Sequence, residues 1–261
     1  MGILNVTPDS FSDGGQFYSQ KQAVDHATQL ISNGADIIDV GGESSRPGAD
    51  KISEEEEIKR TIPVVQKIRS ISPDVLISID TTKSRVALKA ILSGADIIND
   101  ISGLSFDHKM LDVVNELRVP VIIMHMQGIP LNMQDNPTYN DLIEDISSFF
   151  KKKIKIALNA GIDKKHIILD PGIGFGKTID NNFQIINQLN VFCKLGFPVM
   201  IGPSRKTFIG ATLDLPVHDR LEGTAATVAV GIMNGARIVR IHDVKEIKRV
   251  VSIVEKIRTV V

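Results

Sequence analysis

The chain has 261 residues, 43% of them hydrophobic and 23% charged, an ordinary globular composition with enough apolar residues for a large core. The formal net charge is −1 and both signs are spread along the chain, so electrostatics give no reason to expect a nucleic acid or an anionic membrane as partner. The single cysteine, Cys193, excludes an internal disulfide. The N-terminal residues do not read as a signal peptide, and no apolar run approaches the roughly 18 residues of a membrane span. We therefore expect a soluble, cytoplasmic protein.

Short apolar runs alternate with stretches of helical periodicity along the whole chain. The predicted strands are residues 1–6, 37–40, 76–79, 97–99, 121–124, 167–169, 199–201 and 238–241. Helical periodicity is clearest over residues 23–32, 54–71, 86–92 and 142–158, and Ser53-Glu54-Glu55-Glu56 is a capping box for the second of these. Continuously apolar strands alternating with helices indicate a parallel sheet covered on both faces. Eight such units favour a single-domain (β/α)8 TIM barrel over residues 1–261, rather than an open doubly wound sheet.

A repeated phrase marks three of the predicted helix-to-strand junctions. Asn33-Gly34-Ala35-Asp36, Ser93-Gly94-Ala95-Asp96 and Asn234-Gly235-Ala236-Arg237 each follow an amphipathic stretch and precede β-branched residues. Glycine suits the position just after a helix, where φ is positive. The phrase therefore predicts that each helix ends at its glycine and that a buried strand follows. Gly161 stands in a looser version of the same phrase.

Two charge runs are interpreted as solvated helix faces without functional weight. They are the glutamates 54–57 and the lysines 151–153, both on predicted helices.

Polar residues gather at the carboxyl ends of the predicted strands. In a parallel barrel these ends share one mouth, where the active sites of barrel enzymes lie. The side chains expected there are Asp80, Asn99, Asp170, Lys206, Arg240 and His242. Any one of them could instead cap a helix, and an internal salt-bridge network is the alternative for the whole set. Because unpaired buried charges are costly, the convergence favours a polar ligand.

The mixture of side chains narrows the ligand chemistry. Carboxylates and an amide can accept hydrogen bonds from the adjacent N–H groups of a flat heterocycle. Arg46, Lys206, Arg240 and His242, with glycine-rich loops, suit a phosphorylated part of the same ligand. His242 is the best functional candidate among the histidines, since it follows Arg240 by two positions and shares its strand face. No zinc-ligand spacing and no Walker motif is present.

Eight segments, taken in order, resemble the signature segments of dihydropteroate synthases. They are MGILNVTPDSFSDGG, GGESSRPGA, SIDT, IIND, MHMQG, LDPGIGFGK, GPSRK and RIHDV, which together span nearly the whole chain. The resemblance implies a transferase of folate synthesis that joins 6-hydroxymethyl-7,8-dihydropterin pyrophosphate to p-aminobenzoate. It further implies Mg²⁺ as cofactor, sulfonamides as competitors of p-aminobenzoate, and a homodimer.

The resemblance also implies roles for individual residues. The pterin pocket would be formed by Asp80, Asn99, Asp170 and Lys206, with a close-contact wall of Ile101, Met124, Gly174, Phe175 and Gly202. The pyrophosphate would be held by Arg240 and His242, and Mg²⁺ by Asn5 and Asp13. The first loop, with Phe11 and Asp13, and the second, with Ser45, Arg46 and Pro47, would close over the site. Ser204 and Pro47 would border the p-aminobenzoate pocket.

The implied mechanism is electrostatic. Magnesium, Arg46, Arg240 and His242 would stabilise charge on the departing pyrophosphate, and the electron-rich pterin ring would support the methylene cation until the arylamine attacks it. No protein nucleophile is required.

Three departures from the family pattern stand out. Ser45 occupies a position where many members have threonine, and Ile173 one where an aromatic residue is common, which leaves Phe175 as the expected contact. The chain also begins inside the first motif, and a trimmed start, a fragment of a longer folate enzyme and a natural variant would look alike.

Two other functions remain open at this point. A pterin-dependent corrinoid methyltransferase would share the barrel and the acidic pocket but would not need the SSRPG loop together with Ser204-Arg205-Lys206. A catalytically silent pterin-binding paralogue should have lost loop residues or the Arg240 and His242 pair.

Overall fold

The computed structural model describes residues 1–7, 15–44 and 51–260, with residues 15–19 described by their backbone alone. Eight parallel strands lie in these residues: β1 Gly2–Asn5, β2 Ile37–Gly41, β3 Leu76–Asp80, β4 Ile97–Asp100, β5 Val121–Met124, β6 Ile167–Asp170, β7 Met200–Ile201 and β8 Ile238–Val239. All eight fall where the apolar runs predicted strands.

Ten α-helices lie in the described residues, at least one after each strand. They are α1 Gly15–Ser32, α2 Glu54–Ile71, α3 Ser84–Leu92, α4 Met110–Leu117, α5 Leu142–Asn159, α6 Ile179–Asn187, α7 Leu189–Cys193, α8 Thr207–Leu213, α9 Leu221–Met233 and α10 Val244–Thr259. A 3₁₀ turn, Lys164–His166, precedes β6. None of the described helices is long and apolar enough to cross a membrane.

The sheet closes on itself. Strands β1 to β6 pair in sequence order and β7 pairs with β8, all in parallel. Two single bridges, Leu169 with Val199 and Gly2 with Ile241, join these two groups into a ring. The predicted (β/α)8 barrel is therefore confirmed. The strands are short at β7 and β8: the predicted residues Val199 and Ile241 take part through these bridges, and the Arg240 amide donates to the Ile201 carbonyl at 2.9 Å.

The glycine phrase has the conformation that it predicts. Gly34, Gly94, Gly161 and Gly235 all have positive φ, between 94° and 114°. The amide of the following alanine at 35, 95 and 236 donates to a carbonyl five residues back, closing the helix end.

Alternation along the strands divides the core into two regions. Outward-facing residues such as Leu4, Ile38 and Ile98 are completely buried under the helices. Inward-facing apolar residues fill the amino-terminal end of the barrel: Met1, Ile37, Ile97, Ile122, Ile168 and Met200. Burying one such isoleucine stabilises the fold by roughly 1.5–3 kcal/mol. Because apolar side chains fill that end, the polar residues are left at the other end, which is the mouth.

The interpretation of the two charge runs as solvated faces is wrong for one residue in each. Glu57 is only 1% exposed and accepts a hydrogen bond from Lys83 at 2.5 Å. Lys153 is buried and donates to the carbonyl of Leu104 and to the hydroxyl of Ser105. Both have turned inward because a partner of suitable polarity lies beneath the helix.

Half of the predicted capping box is present. The Ser53 hydroxyl accepts from the Glu56 amide at 3.2 Å, but the Glu56 carboxylate pairs with Arg60 at 2.8 Å.

Candidate active site

One cavity lies at the carboxyl ends of the strands, enclosing about 340 Å³ of space including its open mouth. Its lining residues are Asp80, Asn99, Ile101, Met124, Asp170, Ile173, Phe175, Gly202, Lys206 and Arg240. All of these except Ile173 were predicted as site residues from the sequence. Ile173 and Phe175 both line the cavity, so Phe175 is the expected contact and Ile173 is a contact as well. Gly174 faces Lys206 closely, since a Cβ there would lie 2.9 Å from the Lys206 Cδ.

Arg240, which lines this cavity, lies between the buried carboxylate of Asp39 and the half-buried carboxylate of Asp80. Its Nε donates to Asp39 at 2.6 Å and its Nη2 to Asp80 at 2.8 Å, while the Asn99 amide also donates to Asp39 at 3.1 Å. Asp39 was absent from the predicted site, although its position on the inward face of β2 was a signal for it. The second oxygen of Asp39 and the side-chain oxygen of Asn99 are buried and have no hydrogen-bond partner among the residues that the structure describes. Buried acceptors of this kind call for a donor.

The charges of Arg240, Asp39 and Asp80 affect the protonation of Arg240 and Asp80. Burial raises the pKa of Asp80 to about 7, an effect opposed by Arg240 and reinforced by Asp39. Burial alone would lower the pKa of Arg240, but the carboxylates of Asp39 and Asp80 raise it above its usual range. The guanidinium therefore stays charged and holds the two carboxylates together.

Asp170 and Lys206 form the other polar wall. Asp170 accepts from the Gly172 amide at 2.8 Å, and burial raises its pKa to about 6 against the opposing effects of that amide and of Lys206. The Lys206 ammonium lies 4.0 Å from the centre of the Phe175 ring, a cation–π contact. Burial and the nearby Arg240 lower the pKa of Lys206 to about 8, although Asp170 counteracts them.

The loop after β6 is clamped to the loop after β5 by a buried lysine. Lys177 donates to the Phe175 carbonyl at 2.9 Å and contacts Nδ1 and the carbonyl oxygen of His125 at 3.1 and 3.3 Å. Burial, aided by the charge of Lys177, lowers the pKa of His125 to about 3, so the imidazole is neutral and can accept from the ammonium. The clamp holds Ile173 and Phe175 against the cavity.

Gly172→Ala is expected to destabilise the protein much more than Gly196→Ala. Both glycines have positive φ, which costs alanine about 1–2 kcal/mol, but an added Cβ would lie 2.0 Å from the His125 carbonyl oxygen at Gly172 and 3.5 Å from the Lys164 ammonium at Gly196. We expect a loss of at least about 3 kcal/mol at Gly172, because backbone must move. Urea unfolding of both variants measures the difference, and equal losses would contradict the close loop contact.

Ser204 and His242 lie together at the rim. The Ser204 hydroxyl is 2.9 Å from the His242 Nδ1 and also accepts from the His242 amide at 3.1 Å. Burial, followed by the neighbouring Arg240, lowers the pKa of His242 to about 4. The imidazole is therefore neutral at pH 7 and would bind an anion as a hydrogen-bond donor.

The remaining predicted residues lie only partly in the described chain. Phe11, Asp13, Ser45, Arg46 and Pro47 are outside the described residues. Asn5, at the end of β1, is paired with Gly41 of β2, which is paired in turn with Asp80 of β3, so the three residues lie at one level of the mouth.

Comparison with known proteins identifies the family. Residues 1–242 match the family model described as pterin binding enzyme. The dihydropteroate synthase of Bacillus subtilis is 51% identical over 255 residues, which cover 98% of this chain and 87% of that protein. The chain belongs to the dihydropteroate synthase family. It is an enzyme of the transferase class, and the Escherichia coli dihydropteroate synthase is 46% identical over 98% of the chain.

Solved dihydropteroate synthase structures share the whole fold. The Yersinia pestis enzyme in complex with a sulfonamide drug superposes with a TM-score of 0.94 at 44% identity, covering 100% of this chain and 94% of that one. The Xanthomonas albilineans enzyme with 4-aminobenzoic acid has a TM-score of 0.94 at 40% identity, covering 100% and 93%. The same Xanthomonas enzyme in complex with 7,8-dihydropteroate has a TM-score of 0.90 at 36% identity, covering 100% and 94%. None of these relatives is described as a methyltransferase, so the comparisons do not support that alternative.

Proposed function

We propose that this protein condenses 6-hydroxymethyl-7,8-dihydropterin pyrophosphate with p-aminobenzoate to give 7,8-dihydropteroate and pyrophosphate. The observation that carries the proposal is the cavity itself, in which buried acceptors face inward beside cations. It agrees with the ligands of the solved relatives, which include 4-aminobenzoic acid and 7,8-dihydropteroate.

The pterin end of the cavity is defined by three groups. Asp170 is the acceptor for the paired N–H donors of the heterocycle, since a carboxylate can accept two parallel hydrogen bonds. The side-chain oxygen of Asn99, which has no partner within the described part of the chain, accepts a further N–H, and Lys206 donates to a ring acceptor. The apolar walls, formed by Ile101, Met124, Ile173 and Phe175, enclose the flat ring.

The pyrophosphate end of the substrate is bound by Arg240 and by the neutral His242. The two aspartates leave the Nη1 of Arg240 for this, because they accept from Nε and Nη2. In the reaction the bond between the pterin methylene and the pyrophosphate oxygen breaks, and the electron pair leaves with pyrophosphate. The arylamine nitrogen then bonds to the methylene and loses a proton. Donors preorganised toward the leaving group stabilise the charge that develops there. The assignment of Arg46 to the same role stays a prediction.

We also propose that Mg²⁺ takes part, held by Asn5 and Asp13. Asn5 and Asp80 lie in register at one level of the barrel mouth, and both carry the hard oxygen donors that Mg²⁺ prefers. Mg²⁺ commonly binds one or two protein oxygens together with substrate phosphates. When bound, it supplies positive charge to the leaving pyrophosphate.

A cytoplasmic homodimer is the proposed state of the protein. Exposed large apolar side chains occur on two helices that pack side by side, Val230 and Met233 on α9 with Ile253 and Ile257 on α10. We expect these four side chains to lie in the interface, since burial against a second copy would remove them from water. Sedimentation velocity measures the mass in solution, and a monomer at high concentration would contradict the dimer.

Pyrophosphate release from the pterin substrate tests the function. We expect release, with dihydropteroate as the other product, only when p-aminobenzoate and Mg²⁺ are both present. A folded protein that binds the pterin but releases no pyrophosphate would instead be the catalytically silent paralogue.

Sulfonamides are expected to inhibit by competition with p-aminobenzoate. A sulfonamide carries the same arylamine and presents an anionic group at the opposite end, so the two should occupy one pocket. Raising the p-aminobenzoate concentration should restore the full rate, leaving kcat unchanged and raising the apparent KM. Inhibition that excess p-aminobenzoate cannot relieve would contradict a shared pocket.

The pH dependence of binding and stability should run in opposite directions. Asp170 has its pKa raised by burial to about 6, from an ordinary value of 3.8, so folding favours its protonated form. This contribution to stability is present below pH 3.8 and is lost as the pH rises through 6, by up to about 3 kcal/mol for a shift of two pKa units. Pterin affinity should increase over the same range, because the ionised carboxylate accepts both N–H bonds.

Comparison with Asp170→Asn isolates this one titration. Urea unfolding and pterin binding are measured between pH 4.5 and 6.5 in both proteins. Parallel pH profiles for the two proteins would contradict the assignment of the titration to Asp170.

A further inference from the structure

The turn that carries Ser204 and Lys206 contains a backbone conformation that its central residue does not favour. Arg205 has a φ of 57°, in the left-handed region usually occupied by glycine or asparagine. The Lys206 amide donates to the Pro203 carbonyl at 3.2 Å and closes the turn. A bulky residue persists in this conformation only where surrounding contacts hold it.

The residues on both sides of Arg205 face the site. The Ser204 hydroxyl contacts the His242 imidazole, and the Lys206 ammonium lies over the Phe175 ring. Arg205 is the third residue of the turn that the Lys206 amide closes, a position where positive φ is required in some turn types. An extended backbone at position 205 would open the turn and move Lys206 away from Ser204. The left-handed residue therefore keeps Ser204 beside His242 while Lys206 lies over Phe175.

Arg220, half-buried immediately before α9, supplies contacts that hold the turn. Its Nη1 donates to the carbonyls of Arg205 and Lys206 at 3.0 and 3.3 Å. Its Nε and Nη2 donate to the Leu215 carbonyl at 3.1 and 3.0 Å. All of these bonds go to backbone oxygens, so the guanidinium fixes the path of the chain.

Neighbouring groups complete the clamp. The Thr224 hydroxyl accepts from the Arg205 amide at 3.2 Å and donates to the Arg220 carbonyl at 2.8 Å. Asp243 pairs with the Arg205 guanidinium through both of its oxygens. A Cβ on Gly210 would lie 2.1 Å from the Arg220 Cζ, so α8 leaves room for the guanidinium only because that residue is glycine.

We propose that Arg220 is a positioning residue for the condensation, which holds the turn at Arg205 so that Ser204 and Lys206 are presented to the site together. It acts through the carbonyls of Arg205 and Lys206. The inference rests on the proposed function for its kinetic consequence, whereas its effect on the turn can be measured whether or not the protein is a synthase.

Arg220→Gln tests the proposal, with Arg69→Gln as the matched control. Arg69 also donates to backbone carbonyls, those of Pro73, Val75 and Gly94, but it does so at the amino-terminal end of the barrel. We expect Arg220→Gln to lower kcat/KM by roughly tenfold to hundredfold, because small displacements of reacting groups cost about that much. Arg69→Gln should leave kcat/KM unchanged even if it lowers the Tm.

A second substitution separates positioning from general stability. Glycine adopts positive φ without strain, so Arg205→Gly in the Arg220→Gln background should let the turn form without its clamp. We expect the double variant to recover most of the lost kcat/KM. A merely structural role for Arg220 predicts no such recovery.

Amide hydrogen exchange gives the readout that does not depend on catalysis. Arg220→Gln should accelerate exchange over residues 203–210, where the Ile209 and Gly210 amides donate to the Lys206 carbonyl. Native exchange there, or native kcat/KM despite accelerated exchange, would overturn the proposal, as would an equal kinetic loss in Arg69→Gln. If the wild-type protein forms no dihydropteroate, the proposed function fails. Amide hydrogen exchange alone then tests whether Arg220 holds the turn at Arg205. Should Arg220→Gln not fold, Arg220→Lys is measured in the same way.

Discussion

Asp170→Asn is expected to lower the affinity for the pterin pyrophosphate by a factor of roughly 30 to several thousand, corresponding to the 2–5 kcal/mol typical of breaking a buried charged hydrogen bond. The asparagine side chain keeps an oxygen that accepts from the Gly172 backbone amide. Its NH2 group, however, would face the second N–H group of the ligand, so two donors would meet without an acceptor. The barrel should stay folded, because the substitution is isosteric and removes a buried charge. Isothermal titration calorimetry measures the affinity.

Asp100→Asn is the matched control. Asp100 is also a buried aspartate at a strand end, but its side chain accepts from the Ser102 and Leu104 amides at 2.8 and 3.0 Å and faces away from the barrel interior. We expect it to lower stability while leaving pterin affinity unchanged. Unchanged pterin affinity in folded Asp170→Asn would remove the basis for the pterin assignment.

Arg240→Met should cause the largest loss of stability among substitutions at the mouth. It would leave Asp39, which is 0% exposed, and Asp80, which is 12% exposed, without their shared cation. Breaking a buried ion pair by removing one partner costs about 3–5 kcal/mol. Turnover should be lost as well, since Arg240 is the cation proposed for the leaving pyrophosphate. Urea unfolding at pH 7.5 gives the free energy.

Two further measurements test the cause of that loss. Arg85→Met removes an arginine that also pairs with two carboxylates, those of Glu54 and Glu55, but on the surface, and the free energy of unfolding should barely change. Lowering the pH should restore part of the stability of Arg240→Met, because protonation neutralises Asp80. If the loss is the same at every pH, it comes from lost packing rather than from unpaired charge.

The barrel and the set of residues at its mouth could be predicted from the amino-acid sequence. Local apolar runs predict the strands. Glycines such as Gly34, Gly94 and Gly235 predict the helix ends, because the backbone there has positive φ. The carboxyl ends of parallel strands must meet in a barrel, so the order of the strands was enough to assign residues as far apart in the chain as Asp80 and Lys206 to one cavity.

The partner of each charged residue could not be predicted, because it depends on contacts between distant parts of the chain. The hydrogen bond between Asp39 and Arg240 joins residues 201 positions apart. No local pattern shows that two nitrogens of Arg240 donate to carboxylates. Within a charge run, periodicity does not tell which member has a partner beneath it, and Glu57 and Lys153 turned inward for that reason.

The turn at Arg205 shows the same limit in the backbone. Local preference assigns positive φ to glycine and asparagine, so the sequence around an arginine gives no sign of it. The contacts that hold it come from Arg220, 15 residues later, and from Asp243, 38 residues later. Local propensities therefore determined where the chain forms strands and turns, whereas long-range hydrogen bonds determined the strained conformation and the charge pairing within the site.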